Sequence, residues 1–116
     1  MQLNPTQNLA VDLLILAFDR SDNSVKIFTP TREDSNKKAL PGVLLKTNES
    51  ISDAVQRTLE TKTEFSGLNY RLQELPAQTN PTRDPRGHVV SVPILVFLTE
   101  PIIVDTNWSN FEPNLE

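Results

Sequence analysis

The chain has 116 residues, a formal net charge of −4, one histidine and no cysteine. This length supports one small domain with a single core. The composition excludes disulfides, thiolate catalysis and cysteine-ligated zinc, and one histidine does not provide for a His-rich metal site. An acidic balance argues against a general nucleic-acid binder. Because residues 1–8 lack a secretory signal and the longest apolar run, residues 13–18, is too short for a membrane, we expect a cytoplasmic protein without membrane contact.

The first part of the chain predicts three strands separated by polar turns. After residues 1–8, expected to be a flexible lead-in, residues 9–18 form an apolar run with one acid, typical of a buried strand. A turn rich in Asp, Asn and Ser follows, and residues 25–29 then alternate apolar and polar side chains, which predicts a hairpin. After a charged loop, residues 39–45 predict a turn into a short third strand.

A helix is predicted over residues 50–63. Ser50, followed three residues later by Asp53, matches a capping box, the pattern that starts a helix. The apolar side chains that follow recur at helical spacing and predict one face packed on a core. They are Ile51, Ala54, Val55 and Leu59.

The second part of the chain predicts two further strands. Residues 70–76 alternate as a strand, and residues 77–87, with two prolines and one glycine, predict a long ordered loop. Residues 88–100 predict the longest strand, in which Pro93 implies an edge position or a bulge. The last part of the chain predicts a connection anchored by Trp108.

This order of elements predicts an α+β fold: a mixed β-sheet with one main helix, within a single domain over residues 1–116. One helix covers only one face of a sheet, so either a further segment or subunit covers the other face, or the sheet curls. The terminal pair Leu115-Glu116 is open to two interpretations, a cloning scar or native sequence.

Residues 40–65 resemble the Nudix box of pyrophosphohydrolases. In that pattern a glycine is followed, after five residues, by a glutamate, and after seven more by Arg-Glu-apolar-any-Glu-Glu-any-Gly-apolar. Glu49 and Arg57 match its first glutamate and its arginine, while Val43 and Glu64 replace its glycines. The residues at its metal-binding glutamates are Thr58, Thr61 and Lys62.

The likeness extends along most of the chain. Residues 11–18 resemble the first core strand of the family, and residues 25–32 the strand before the box. Residues 83–98 resemble a segment of ADP-ribose-type Nudix proteins and of Nudix-related transcriptional regulators, and residues 107–113 resemble the stretch before the last helix of the family. The resemblance implies a Nudix-like fold over residues 10–113, with that C-terminal helix missing.

In the Nudix-related regulators, the Nudix-like domain senses ADP-ribose or a related phosphorylated sugar, and a winged helix after it binds DNA. The resemblance therefore implies a catalytically impaired domain that binds an ADP-ribose-like effector. It implies contact with DNA only through a C-terminal domain outside these 116 residues.

The net charge at the three altered positions of the box determines which ligand we expect it to bind. Three glutamates would carry −3, whereas two threonines and a lysine carry +1, a change of four units. At about 4 Å and an effective dielectric near 20, each unit pair is worth roughly 4 kcal/mol before screening. We therefore expect no catalytic residue, no metal site and no cofactor, and a cleft between the helix and residues 77–87 that favours a bare phosphate. The candidate ligand-binding residues are Arg32, Lys46, Glu49, Arg57, Lys62, Arg83 and Arg86.

Two alternatives stay open. A Mg²⁺-dependent hydrolase of nucleoside-diphosphate sugars would need a displaced acid, for which Glu49, Glu60 and Glu64 are candidates, and Mg²⁺ would then be its cofactor. A dimerisation or interaction module would instead use the uncovered face of the sheet. Arg57 also has a purely structural interpretation, a surface ion pair with Asp53 four residues earlier.

Overall fold

The computed structural model describes residues 8–32, 37–79, 89–102 and 104–111. Within these ranges the elements, in chain order, are β1 (Asn8–Asp19), β2 (Ser24–Phe28), β3 (Gly42–Leu44), α1 (Ile51–Lys62), β4 (Tyr70–Glu74), β5 (Val89–Leu98) and β6 (Trp108–Asn110). The predicted α+β class with a mixed sheet and one main helix is confirmed. No helix in the described part of the chain is long and apolar enough to cross a membrane.

All strands join one sheet around β1, in the order β4-β5-β1-β2-β6, with β3 also paired to β1. One edge of β1 runs parallel to β5. Its other edge is shared, because β2 pairs with residues 16–19 and β3 pairs with residues 10–12, both antiparallel. Since β2 and β3 take different halves of the same edge, they diverge and leave a cleft between them.

The core lies between the sheet and α1. Side chains of a strand alternate between its two faces, and the set that faces the helix is apolar and buried. These strand residues are Val11, Leu13, Ile15, Ala17, Phe28, Ile94, Val96 and Leu98. From α1 the predicted face supplies Ala54, Val55 and Leu59, while Ile51 is only partly buried.

The capping box predicted at Ser50 is present. The Ser50 Oγ accepts the N–H of Asp53 at 3.0 Å, and the Asp53 carboxylate accepts the N–H of Ser50 at 3.3 Å. The turn before it needs a left-handed residue, Asn48, with φ 63°. The helix ends at Lys62, and the Oγ1 of its C-cap residue, Thr63, donates to the Leu59 carbonyl at 2.7 Å. Local side-chain hydrogen bonds therefore fix both ends of the helix.

Pro93 lies in a central strand, so of its two predicted placements, an edge position or a bulge, the edge position is wrong. β5 is flanked by β4 and β1, and it is shorter than β1, at 10 residues against 12. The Pro93 carbonyl accepts the N–H of Leu75 at 2.9 Å, and pairing resumes between Gln78 and Ser91. The intervening residues bulge away from β5, at the point where a residue without an N–H cannot continue the ladder.

Trp108 anchors the C-terminal part, as predicted, but it opens a strand rather than a plain connection. It starts β6, which pairs with β2. Its ring centroid lies 5.3 Å from that of Phe28 and 5.6 Å from that of Phe65, and only 8% of the residue is exposed. A strand of three residues is too short to show an alternating pattern, which is why the sequence did not predict it.

The face of the sheet opposite α1 carries apolar side chains. They are Leu14, Leu16, Phe18, Ile27, Leu95 and Phe97. Phe18 and Phe97 are 39% and 36% exposed, and within the described ranges no helix packs on this face. Dimerisation through it stays a prediction, which sedimentation at several protein concentrations tests.

Candidate functional site

Arg57 of α1 is bound to the turn that precedes the helix. Its Nε and Nη2 donate to the two carboxylate oxygens of Glu49 at 2.8 and 2.9 Å, and Nη2 also donates to the Leu44 carbonyl at 2.9 Å. Glu49 accepts a further hydrogen bond from the N–H of Lys46 at 3.0 Å. The ion pair is with Glu49 rather than with Asp53, which is engaged in the capping box.

These contacts hold Glu49 in its charged form. The hydrogen bond from Arg57, followed by that from the Lys46 main chain, lowers the pKa of Glu49 from 4.5 to about 2. The same ion pair raises the pKa of Arg57. Glu49 and Arg57 therefore brace the entry to α1 against β3.

The three altered box positions lie on α1 in different environments. Thr58 is fully buried, and its hydroxyl donates to the Ala54 carbonyl at 2.7 Å. Thr61 is exposed, and its hydroxyl donates to the Arg57 carbonyl at 2.8 Å. Lys62 is exposed as well. Mg²⁺ needs an octahedron of oxygen ligands with carboxylates among them, so two hydroxyls bonded to the helix and one ammonium do not fit this ion.

A cleft of about 1050 Å³ opens where β2 and β3 diverge beside the end of α1; we call it the helix lobe. Two cations line it, Arg32 and Lys62. Three carboxylates line it too: Asp12, Glu64 and Asp105. The described lining of the cleft is therefore mixed in charge rather than cationic.

A second cavity of about 650 Å³ adjoins the first over the face opposite α1; we call it the sheet lobe. The two lobes share Asp12, Arg32, Ala39 and Leu40. The sheet lobe continues over Pro93 and Ser91 to Leu75, Pro76 and Gln78. Gln78 belongs to the segment 77–87 that was predicted to border the cleft, and residues 80–88 lie outside the described part of the chain.

The candidate ligand-binding residues fall into three groups. Arg32 and Lys62 both line the helix lobe. Glu49 and Arg57 pair with each other before and within α1, with Lys46 exposed beside them, and neither lobe includes these three. The remaining two, Arg83 and Arg86, lie outside the described residues. A ligand contact stays a prediction for all of them.

Three acidic residues of the cleft were not among the predicted ligand contacts. The sequence marks Glu64 only as a displaced catalytic acid, and it carries no signal for Asp105. Asp12 did carry a signal, because it is the single charge within the apolar run of residues 9–18. A charged side chain in a buried strand is costly unless it has a partner or a use.

No family sequence model and no curated protein sequence matches the chain. Solved structures do match. A MutT/nudix family protein from Enterococcus faecalis has a TM-score of 0.70 and 27% identity, over 95% of this chain and 44% of that one. The NUDIX domain of Shewanella oneidensis NrtR, cocrystallised with ADP ribose, has a TM-score of 0.64 and 21% identity, over 94% and 75%. S. oneidensis NrtR complexed with a 27mer DNA has a TM-score of 0.62 and 25% identity, over 76% and 41%.

The chain therefore has a Nudix-like fold, as the resemblance of its sequence implied. It spans 44% of the length of the Enterococcus protein and 41% of the NrtR chain in the DNA complex.

Proposed function

We propose that this chain binds an ADP-ribose-like sugar nucleotide and has little hydrolytic activity of its own. The observation that carries the proposal is the state of the altered box in α1. Thr58 is buried against the helix backbone, Thr61 is bonded to it, and Lys62 lines the cleft. The framework of the box persists through the ion pair of Glu49 with Arg57, while the oxygen ligands for a divalent ion are replaced.

The mixed charge of the helix lobe favours a ligand that has both phosphate and sugar groups. Arg32 and Lys62 offer donors to phosphate oxygens. The carboxylate of Asp12 accepts hydrogen bonds and repels anions, so it favours hydroxyl groups. A sugar nucleotide supplies both kinds of group. The structural similarity to an NrtR domain crystallised with ADP ribose supports the same class of ligand.

We further infer that the domain serves as the sensor of a transcriptional regulator. The similarity to NrtR in its complex with DNA supports this role. In such an arrangement a further domain contacts the DNA, and occupancy of the cleft alters that contact. The net charge of −4 is consistent with DNA contact through another domain, since DNA binding needs a basic surface.

Isothermal titration calorimetry with ADP-ribose, in the presence and absence of Mg²⁺, tests the proposal. We expect binding in both conditions, with dissociation constants that agree within about threefold, and tenfold or greater weakening in Lys62→Gln because a cation beside the phosphates is lost. Lys37→Gln is the matched control, since Lys37 is exposed and lines neither lobe. Absence of binding in both conditions removes the sensor proposal for this ligand class.

One observation favours the hydrolase alternative. Of the displaced acids considered, Glu49 is bound to Arg57, and Glu60 accepts a hydrogen bond from Gln56 at 2.9 Å outside both lobes. Glu64 alone of the three lines the helix lobe. Release of AMP from ADP-ribose with Mg²⁺ or Mn²⁺, abolished in Glu64→Gln, would establish this alternative and displace the first.

A further inference from the structure

Asp12 is a charged residue at the centre of the sheet. It lies in β1, between the apolar residues Val11 and Leu13, and its side chain is on the face opposite α1. It is paired across the parallel ladder with Pro93. A leucine or valine here would extend the apolar face, so the carboxylate interrupts the apolar pattern of this face. Residues that conflict with their local surroundings are expected at functional sites.

Two neighbours fix the position of this carboxylate. Ser91, only 4% exposed, donates from its Oγ to the Asp12 Oδ2 at 2.6 Å. On the other side lies Gly42, where a Cβ would collide with the Asp12 Oδ1 and come within 2.9 Å of the Val11 carbonyl. The absence of a side chain at 42 therefore gives Oδ1 its space. A buried donor therefore orients the carboxylate, and the glycine leaves the room that its second oxygen occupies.

The same carboxylate is open to ligand. Asp12 is partly exposed and lines both the helix lobe and the sheet lobe. A carboxylate has about four lone-pair positions, and the hydrogen bond from Ser91 uses one of them, so acceptor capacity remains. An ionised carboxylate accepts hydrogen bonds but does not donate them. It therefore suits hydroxyl groups and excludes phosphate.

We propose that Asp12 is a ligand-contacting residue whose carboxylate accepts hydrogen bonds from ribose hydroxyls of a sugar nucleotide that spans the two lobes. This inference rests on the proposed function and adds the orientation of the ligand in the cleft. Its phosphates lie toward Lys62, and a sugar ring lies over Asp12. Ser91 and Gly42 are positioning residues, since each acts on the ligand only through the carboxylate.

The test is decisive because the two explanations predict opposite changes in affinity when Asp12 loses its charge. Removing a carboxylate from the cleft should strengthen the binding of an anion, by electrostatics alone. Asp105→Asn, in the same lobe, measures that effect, and we expect equal or slightly tighter binding of ADP-ribose. Asp12→Asn removes the same charge but also an acceptor for the sugar, so we expect binding about tenfold weaker or more.

ADP-ribose analogues that lack single ribose hydroxyls complete the experiment. We expect one such analogue to bind the wild type about tenfold more weakly than ADP-ribose does, and to bind Asp12→Asn with almost no further loss. Thermal unfolding verifies that each variant is folded. If Asp12→Asn does not fold, Ser91→Ala replaces it, since a carboxylate without its buried donor should bind ADP-ribose more weakly and discriminate less between the analogues.

The outcomes separate this inference from the proposed function. If the wild type binds ADP-ribose while Asp12→Asn binds as well as Asp105→Asn does, the role of Asp12 is wrong and the sensor proposal stands. Asp12→Asn could instead bind ADP-ribose weakly while the removal of each ribose hydroxyl weakens binding by the same factor in the variant and in the wild type. The effect of the substitution is then structural, and the inference is again wrong. If the wild type does not bind, both are rejected.

Discussion

Arg57 and Glu49 form a two-point ion pair across the turn into α1, with N–O distances of 2.8 and 2.9 Å. Arg57 also donates to the Leu44 carbonyl, so one guanidinium joins β3, the turn and the helix. An ammonium group cannot reproduce this planar fork. We expect Arg57→Lys to have a lower melting temperature than the wild type, and Arg57→Ala a lower one still.

The same pair predicts a pH dependence. The pKa of Glu49 falls from 4.5 to about 2 in the folded chain, so its contribution to stability is complete above pH 4.5 and is lost as the pH falls toward 2. Melting temperatures followed by circular dichroism from pH 6 to pH 2 should decline more steeply for the wild type than for Glu49→Gln. Parallel curves would show that the pair contributes nothing to stability.

Asn48 predicts a contrast between two substitutions. Its φ of 63° is left-handed, a conformation that glycine adopts freely and that costs other residues about 1 kcal/mol or more. We expect Asn48→Ala to lower the free energy of unfolding by about 1 kcal/mol and Asn48→Gly to change it by less than about 0.5 kcal/mol. Urea denaturation with an unchanged m-value measures both, and equal losses would contradict the prediction.

Glutamate substitutions at positions 58, 61 and 62 should differ in their effect on the free energy of unfolding, because these positions differ in burial. Thr58 is fully buried, so Thr58→Glu places a charge in the core and should lower the unfolding free energy by about 2 kcal/mol or more. Thr61 and Lys62 are exposed, so the double variant Thr61→Glu, Lys62→Glu should remain within about 1 kcal/mol of the wild type. Calorimetry with Mg²⁺ should show tighter binding for the double variant, and a wild type that binds as tightly would refute the charge argument.

The position of Trp108 leads to two predictions: a loss of stability when it is substituted, and a change in its fluorescence when ADP-ribose binds. It packs against Phe28, which lines the helix lobe, and it is the one tryptophan of the chain. Trp108→Ala should cost about 3 kcal/mol, and Trp108→Phe clearly less, because the ring contacts are partly kept. Titration with ADP-ribose should change the tryptophan fluorescence of the wild type, and an identical titration of Lys62→Gln should require more ligand.

The elements with local signals were predictable from the sequence. β1, β2 and α1 have apolar periodicity over several residues, and the capping box of Ser50 and Asp53 marks where the helix begins. β6 was missed because three residues show no period. Pro93 predicts an edge position or a bulge because proline lacks a ladder donor, and a bulge in the neighbouring segment is what removes that conflict within a central strand.

The candidate site was less predictable, because it is assembled from distant parts of the chain. Asp12, Glu64 and Asp105 come from a strand, the end of a helix and a late connection, and no local spacing relates them. Helical spacing predicts an ion pair of Arg57 with Asp53, whereas the turn at Asn48 brings Glu49 to the guanidinium instead. Arg32 and Lys62 both line the cleft, although no local spacing in the sequence relates them.

The division of one edge of β1 between β2 and β3 has a consequence for how this domain can change. The groove is produced by main-chain pairing, not by the bulk of particular side chains. Side chains on its walls can therefore be exchanged without loss of the strand pairing that holds the groove open.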